Sequence, residues 1–343
     1  MSERRFYLDR GIGETRAVVM LDGRPERLMI QRDGDDPAAA AGARGVARVK
    51  KVDRALGTAF LELAGGGPAV LPLKPDMERV KEGQAVEVEI RSEARKGKSA
   101  VVRLIGPAEG APRLLEAAPD LAAELRALAR DAPVIEDARA REAGDEAQAE
   151  ALEIVHTLPG GGSIAIEETR ALVAVDVDVG ERPGSDSKRV TRQANLAALG
   201  AGARLLRLKG LGGLVIFDLA GRGHDGAALL AAARAAFGPD NPGVAISPIS
   251  RFGTMELTLP RRRRSVLEVL RERPALTAAL SLLRALEREG RAQPGARLVA
   301  ECASAVAEAA RPYEAALADR LGRRFEIVGR DGWPVERLAV AAR

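Results

Sequence analysis

Read as a β-strand, residues 172–179 place Val173, Val175, Val177 and Val179 on one face and Asp176 with Asp178 on the other. Aspartate is depleted in strands, and like charges on one face repel. A bound hard cation would convert that repulsion into ligation, because such ions take carboxylate oxygens. The plainer reading is an amphipathic edge strand with two solvated carboxylates. A third acid, Asp218, ends the apolar run 212–219. That run reads as a strand covered on both faces, and ligand sites collect at the C-terminal ends of such strands. Asp176, Asp178 and Asp218 together suit magnesium, which fills its remaining positions with water and phosphate oxygens. That is the chemistry of phosphodiester cleavage.

Other groups compete or assist. Gly221, Gly223 and Gly226 match G-x-G-x-x-G between a strand and a helical stretch, the spacing of a dinucleotide loop. The acid expected at the end of the next strand is missing there. His156 and His224 lack visible partners, and a structural or surface role suits both. Arg251 and Phe252 follow a strand and could present a cation and a ring to one nucleotide. The run Arg261, Arg262, Arg263, Arg264 is a solvated patch or a neutraliser of phosphates. Phe60 lies mid-strand, as core or as stacking surface, and Lys96 and Lys98 flank a glycine turn.

These groups need a frame. Asp22-Gly23 between extended stretches 15–21 and 26–31 predicts a hairpin. Five short runs, at 44–52, 58–63, 69–73, 85–92 and 99–104, fit a small closed barrel of the OB type. Residues 107–155 turn to Ala, Leu, Glu and Arg and read as two helices broken near Pro133. From His156 strands alternate with helices, with strands at 163–167, 170–179, 213–219 and 244–247. An Ala/Leu stripe from Ala194 to Leu208 marks the helix between the second and third, and Gly210 stands where a cap glycine belongs. Helices are predicted at 276–288, 298–310 and 313–321, with a closing hairpin of 324–329 and 335–340.

The 343 residues suit two or three domains. A single cysteine, Cys302, rules out a disulfide framework and a multi-cysteine zinc site. No apolar run reaches a membrane span and no apolar leader opens the chain, so a soluble, cytoplasmic protein is expected. Net charge is +4, but 107–155 holds 12 acids and 5 bases, leaving about +11 on the rest. Such a surface suits a polyanion, although 45 arginines against 8 lysines also fit a coding bias. Aromatics are 3%, too few for a broad stacking platform.

The motifs 158–166 (LPGGGSIAI), 171–178 (ALVAVDVD), 195–198, 204–218 and 246–253 (ISPISRFG) resemble the catalytic core of the bacterial ribonuclease E/G family. The hairpin, the barrel and residues 324–328 fit the same order, so the resemblance spans nearly all of the chain outside 107–155. It implies a DNase I-like α/β core and a magnesium- or manganese-dependent endoribonuclease acting on single-stranded RNA. Such cleavage leaves a 5′-phosphate and a 3′-hydroxyl. Asp176 and Asp218 take the positions of the family's two metal-binding aspartates. Asp178 stands where an asparagine is usual, which adds charge beside the phosphate. The family's cysteine pair for zinc is absent, so no zinc and no zinc-linked tetramer are expected, while a homodimer through the C-terminal module is. Gly65-Gly66-Gly67 replaces a loop that often carries RNA contacts, and 107–155 stands where a 5′-end sensor would lie.

The expected organisation is a multidomain α+β chain. An N-terminal hairpin (1–35) packs on the core, followed by an OB-type RNA-binding barrel (36–106) and an acidic helical insert that is a reduced sensor (107–155). A metal-dependent catalytic core (156–263) and a small α+β module (264–343) complete it. The site set is Asp176, Asp178 and Asp218, with Phe60, Lys96, Lys98, Arg251, Phe252, Arg261 and Arg262 on RNA. Two other functions fit: an RNA-binding protein of this fold that cleaves poorly because of Asp178, and a dinucleotide-dependent enzyme using the glycine loop.

Overall fold

A computed structural model describes residues 3–75, 80–95, 97–181, 186–223, 225–240 and 243–343. Lys96 and His224 lie outside the described residues. The chain opens with three antiparallel strands, β1 (Arg4–Arg10), β2 (Glu14–Leu21) and β3 (Arg24–Arg32). Asp22 and Gly23 both take positive φ, as a two-residue turn between twisted strands requires. The hairpin is therefore right, but the mixed run Arg4–Arg10 adds a strand to it.

The barrel follows: β4 (Arg44–Asp53), β5 (Thr58–Glu62), β6 (Pro68–Pro72), β7 (Ala85–Ser92) and β8 (Ala100–Pro107). Their order β5-β6-β8-β7-β4 closes through a β4–β5 pairing, and β6 runs parallel to β8. Alternate small and branched residues, among them Ala47, Val49, Ala59, Leu71, Val88 and Val102, fill the interior. Outside the five, β9 (Arg113–Glu116) lies along β4.

The acidic stretch then forms α1 (Leu121–Ala129), β10 (Val134–Ile135) and α2 (Ala138–Leu152). Both helices begin at aspartate caps, Asp120 and Asp137, whose carboxylates accept first-turn amides. β10 joins β1 in parallel, making a four-stranded sheet. α1 covers one face of that sheet. α2 covers the other through Ala140, Ala143, Gly144, Ala147 and Ala151, a stripe of small residues that lets the helix come close. Glu142 and Glu146 face outward, while Asp145 and Glu150 turn to Arg16 and Arg204.

Next come β11 (Val155–Thr157), β12 (Ser163–Glu168), β13 (Val173–Asp178), α3 (Ser187–Lys209), β14 (Gly213–Asp218), α4 (Gly226–Ala236), β15 (Ala245–Ile246) and β16 (Thr254–Leu259). They build a six-stranded sheet in the order β11-β12-β13-β14-β16-β15. Only β13 and β14 run parallel, joined by the crossover helix α3. Gly210 adopts the left-handed cap conformation at the end of α3. α3 packs between this sheet and the N-terminal one, covering Val175, Val177, Val215 and Phe217.

The opposite face of the sheet is open. The strand at 213–218 was expected to be covered on both faces, yet Leu214 is 41% exposed and Ile216 half-buried. A run of apolar residues does not say how many layers cover it.

The C-terminal module holds α5 (Val266–Glu272), α6 (Pro274–Ala292), β17 (Leu298–Ala303), α7 (Ser304–Ala310), α8 (Glu314–Leu321), β18 (Phe325–Arg330) and β19 (Leu338–Ala342). Two expectations fail here. The helix at 298–310 is a strand followed by a helix, because a central strand is apolar on both sides and shows no period of two. The closing hairpin is not one: β18 and β19 lie on opposite sides of β17, parallel and antiparallel to it.

Lys209 ties the layers together. Its ammonium is buried and donates to the carbonyls of Ala151 (2.9 Å) and Glu153, at the C-terminus of α2. Burial pushes this amine down to about 8. The unfolded chain keeps the proton to about 10.4. Between those values the unfolded state binds more protons, so this group makes stability rise with pH. We expect the urea midpoint of the wild type to gain on that of Lys209→Met as pH goes from about 7.5 to about 9.5. A constant difference between the two would refute the assignment.

Candidate active site

β13 and β14 pair in register, with Asp176 opposite Asp218. Register partners on neighbouring strands point to the same face about 4.8 Å apart. Both carboxylates are exposed on the open face, and among the described residues neither makes a hydrogen bond or an ion pair. Two like charges side by side destabilise a sheet, and among the described residues no cation pairs with either. Asp178 lies two residues on, also exposed, and its carboxylate accepts the Gly180 amide at 3.0 Å. It closes a turn there, a job an amide oxygen would do as well.

The loops around this pair are fixed by specific bonds. Asn195 is fully buried within α3, and its amide donates to the Ala220 carbonyl and accepts the Ala220 amide, both at 3.0 Å. That double bond locks the chain just after Asp218. The loop from Leu158 to Ser163 presses on the end of β13. At Gly162 a Cβ would stand 2.3 Å from the Asp178 carbonyl, and φ is +75°, so glycine is required. Sequence reasoning met Asn195 only as the first residue of the motif 195–198 and gave it no role of its own.

Arg251 and Phe252 sit at the tip of the loop between β15 and β16. Thr254 is the register partner of Asp218, and the Leu219 amide donates to Gly253, so this tip adjoins the carboxylate edge. The Ser250 hydroxyl bonds Thr254 Oγ1 at 2.7 Å and accepts the Phe252 amide, fixing the turn. Phe252 is 77% exposed, and Arg251 lies over its ring at 4.7 Å. Across from this tip stands the glycine loop, with Arg222 exposed.

On the barrel, Phe60 faces outward at 37% exposure, between Lys51 of β4 and Val70 of β6. Lys98 is exposed in the turn before β8. Glu93 of that same loop donates its amide to the Arg262 carbonyl and accepts the Arg264 amide, which docks the barrel beside the sheet. The four-arginine run is largely committed to such docking. Arg261 bridges Glu168 (3.0 Å) and Glu268 (2.6 Å), Arg263 pairs with Glu124, and Arg264 pairs with Asp35 (3.2 Å) and Glu272 (2.5 Å). Arg262 alone of the four is exposed. Arg261, expected on RNA, is mostly buried and held by these two carboxylates.

The glycine loop does not sit as a dinucleotide loop would. It follows β14 and leads through α4 to β15, which the antiparallel β16 separates from β14, so the adjacent parallel pair of the sheet is β13–β14, joined by α3. Asp225 caps α4 by accepting the Ala228 amide and pairs with Arg192 at 3.2 Å, placing a carboxylate where a pyrophosphate would bind. His156 is buried, and burial beside Lys209 pushes its pKa down. Cys302 is buried in the C-terminal core, where burial raises its thiol.

Among the described residues no group of three or more His, Cys, Asp or Glu side chains converges to enclose a metal ion. The Asp176–Asp218 pair instead suits an ion that keeps most of its water and binds through one or two carboxylates, which is magnesium's habit. Among the described residues no helix is long and apolar enough to cross a membrane.

A model of the Ribonuclease E/G family matches residues 111–264. A chloroplastic Ribonuclease E/G-like protein of Arabidopsis thaliana is 33% identical over 135 residues, 38% of this chain and 14% of that protein. Ribonuclease E of Escherichia coli (strain K12) is 37% identical over 107 residues, 30% of this chain and 10% of that protein. Ribonuclease G of Salmonella typhimurium (strain SL1344) is 30% identical over 178 residues, 48% of this chain and 36% of that protein. The chain thus spans well under half the length of these relatives. The matched segment runs from β9 to the end of the four-arginine run and contains α2, the six-stranded sheet, Asp176 and Asp218. Over those residues the chain is similar to the Ribonuclease E/G family.

Proposed function

We propose that this protein is an endoribonuclease that hydrolyses phosphodiester bonds of single-stranded RNA with magnesium, or manganese in its place, during RNA processing or decay in the cytoplasm. The reading rests on one observation: two unpartnered aspartates set side by side in register on an open sheet face, in the segment that matches the family. Asp176 and Asp218 would hold the ion. When bound, the ion supplies positive charge at the phosphate and an activated water, giving 5′-phosphate and 3′-hydroxyl ends. The chain's own residues do the rest. Arg251, Arg222 and Arg262 neutralise neighbouring phosphates, and Asn195 holds the strand end on which Asp218 stands. Phe60 and Lys98, with Lys96, guide the strand over the barrel. The sheet with α3 and α4 acts as the DNase I-like core, and the C-terminal module is the surface for a homodimer without zinc.

An internally labelled single-stranded RNA incubated with magnesium, with manganese and with EDTA tests this. Internal cuts that need the ion are expected, and binding with no cleavage under any ion would leave the weak RNA-binding alternative. Equal rates are expected for 5′-monophosphate and 5′-hydroxyl substrates, because α1, β10 and α2 are spent on covering the N-terminal sheet. A tenfold or greater advantage for the monophosphate would overturn that part.

A further inference from the structure

The cleft between the glycine loop, the first turn of α4 and the β15–β16 tip has no assigned role. Leu230, Pro248, Ile249 and Phe252 line it together with Arg222, Ser250 and Arg251, so apolar and polar groups share its surface about equally. Nine aromatic residues serve the whole chain, and among the described residues Phe252, at 77%, is the most exposed ring, ahead of Phe60 at 37%. Its backbone is held by the Ser250 hydroxyl and its ring by Arg251, so little freedom is lost when a flat partner covers it. Its chain neighbour Gly253 accepts the Leu219 amide, one residue beyond Asp218.

We propose that this cleft is a stacking clamp for the base of a nucleotide flanking the scissile phosphate, with that nucleotide's own phosphate beside Arg222 and Arg251. The proposal rests on the reading of the protein as an RNA-cleaving enzyme. The Ser250 hydroxyl is already bonded to Thr254 Oγ1 and to the Phe252 and Thr254 amides, so it has no role in reading base edges. The clamp therefore grips any base by its face and sets affinity, not sequence preference. A dinucleotide is the lesser candidate for the same cleft, because the Asp225 carboxylate occupies the start of α4.

The test is equilibrium binding of fluorescent ten-nucleotide oligo-U and oligo-A in EDTA, so that binding is read apart from cutting. Phe252→Ala should weaken both by a similar factor, roughly 5- to 20-fold, and Phe252→Trp should restore binding. An oligonucleotide with one abasic position should lose its dependence on the ring in one register only. With magnesium, Phe252→Ala should raise KM with the same cleavage pattern and little change in kcat. Unchanged binding and KM in a wild type that does cut RNA overturns the clamp and leaves the enzyme reading intact. A wild type that neither binds nor cuts overturns both. Saturable NAD binding lost in Phe252→Ala would assign the cleft to a dinucleotide instead. An exposed ring on a surface turn should not affect folding, and an equal melting midpoint for the Ala variant checks this.

Discussion

Asp218→Asn is expected to lower metal-dependent RNA cleavage by about a thousandfold or more while leaving the fold intact. The substitution keeps the shape of the side chain and removes half of the charge that would hold the ion. The electrostatic help given by such an ion amounts to several kcal/mol, and each 1.36 kcal/mol is about tenfold in rate. Asp176→Asn should act the same way, because the two side chains are register partners on one face. The double variant should be little worse than either single one, since groups that act as a unit do not add. Oligonucleotide binding in EDTA should change by less than about threefold, or strengthen as negative charge leaves the groove.

Stability gives an independent readout. Two neighbouring carboxylates without partners repel, so either substitution should hold or slightly raise the melting midpoint in EDTA. A salt bridge or a cap would behave in the opposite way. Single-turnover cleavage within tenfold of wild type for Asp218→Asn would remove this pair from the chemistry.

Parts of this were legible in the residues themselves. The alternation at 173–178 fixed which carboxylates share a face, and the Asp22-Gly23 turn is a local matter of backbone conformation. The five barrel runs kept their bounds to within a few residues because glycine and proline punctuate them. Legibility ended where partners came from elsewhere in the chain. That Asp176 faces Asp218 depends on register between strands separated by the 23-residue helix α3, which no local pattern encodes. The arginines at 261–264 look alike in sequence, and only their acids, drawn from β12, α1, α5 and two loops, separate the docked ones from Arg262. Likewise β17, apolar but for Glu301, and a half-open β14 read alike until their layers are seen.

The largest expected loss of stability comes from the buried charges that join the N-terminal sheet to α2 and the C-terminal module. Arg16 is completely buried in β2. It donates to Asp9 of β1 at 2.6 Å and 3.0 Å, pairs with Asp145 of α2 at 2.8 Å, and donates to Gln148 at 3.3 Å. Asp145 also meets Arg284 of α6 at 3.6 Å, and Arg284 pairs with Glu14 of β2. Arg141 links Asp9, at 3.8 Å, to Glu287, which Arg320 of α8 holds at 2.6 Å. The network therefore joins five elements, β1, β2, α2, α6 and α8. Removing one member of a buried pair leaves an uncompensated charge and costs about 3–5 kcal/mol. Arg16→Ala leaves Asp9 only the longer contact to Arg141 and adds a void, so the upper half of that range is expected, read as a fall in urea midpoint at unchanged slope. Gly144→Ala makes the same point through space: its Cβ would stand 2.8 Å from the Arg16 guanidinium. That group is boxed in by its own partners and cannot yield, so the methyl should destabilise by a few kcal/mol despite alanine's better helix propensity of about 1 kcal/mol. A neutral or stabilising Gly144→Ala would mean that Arg16 moves freely, and the network would then lose its claim to weld the modules.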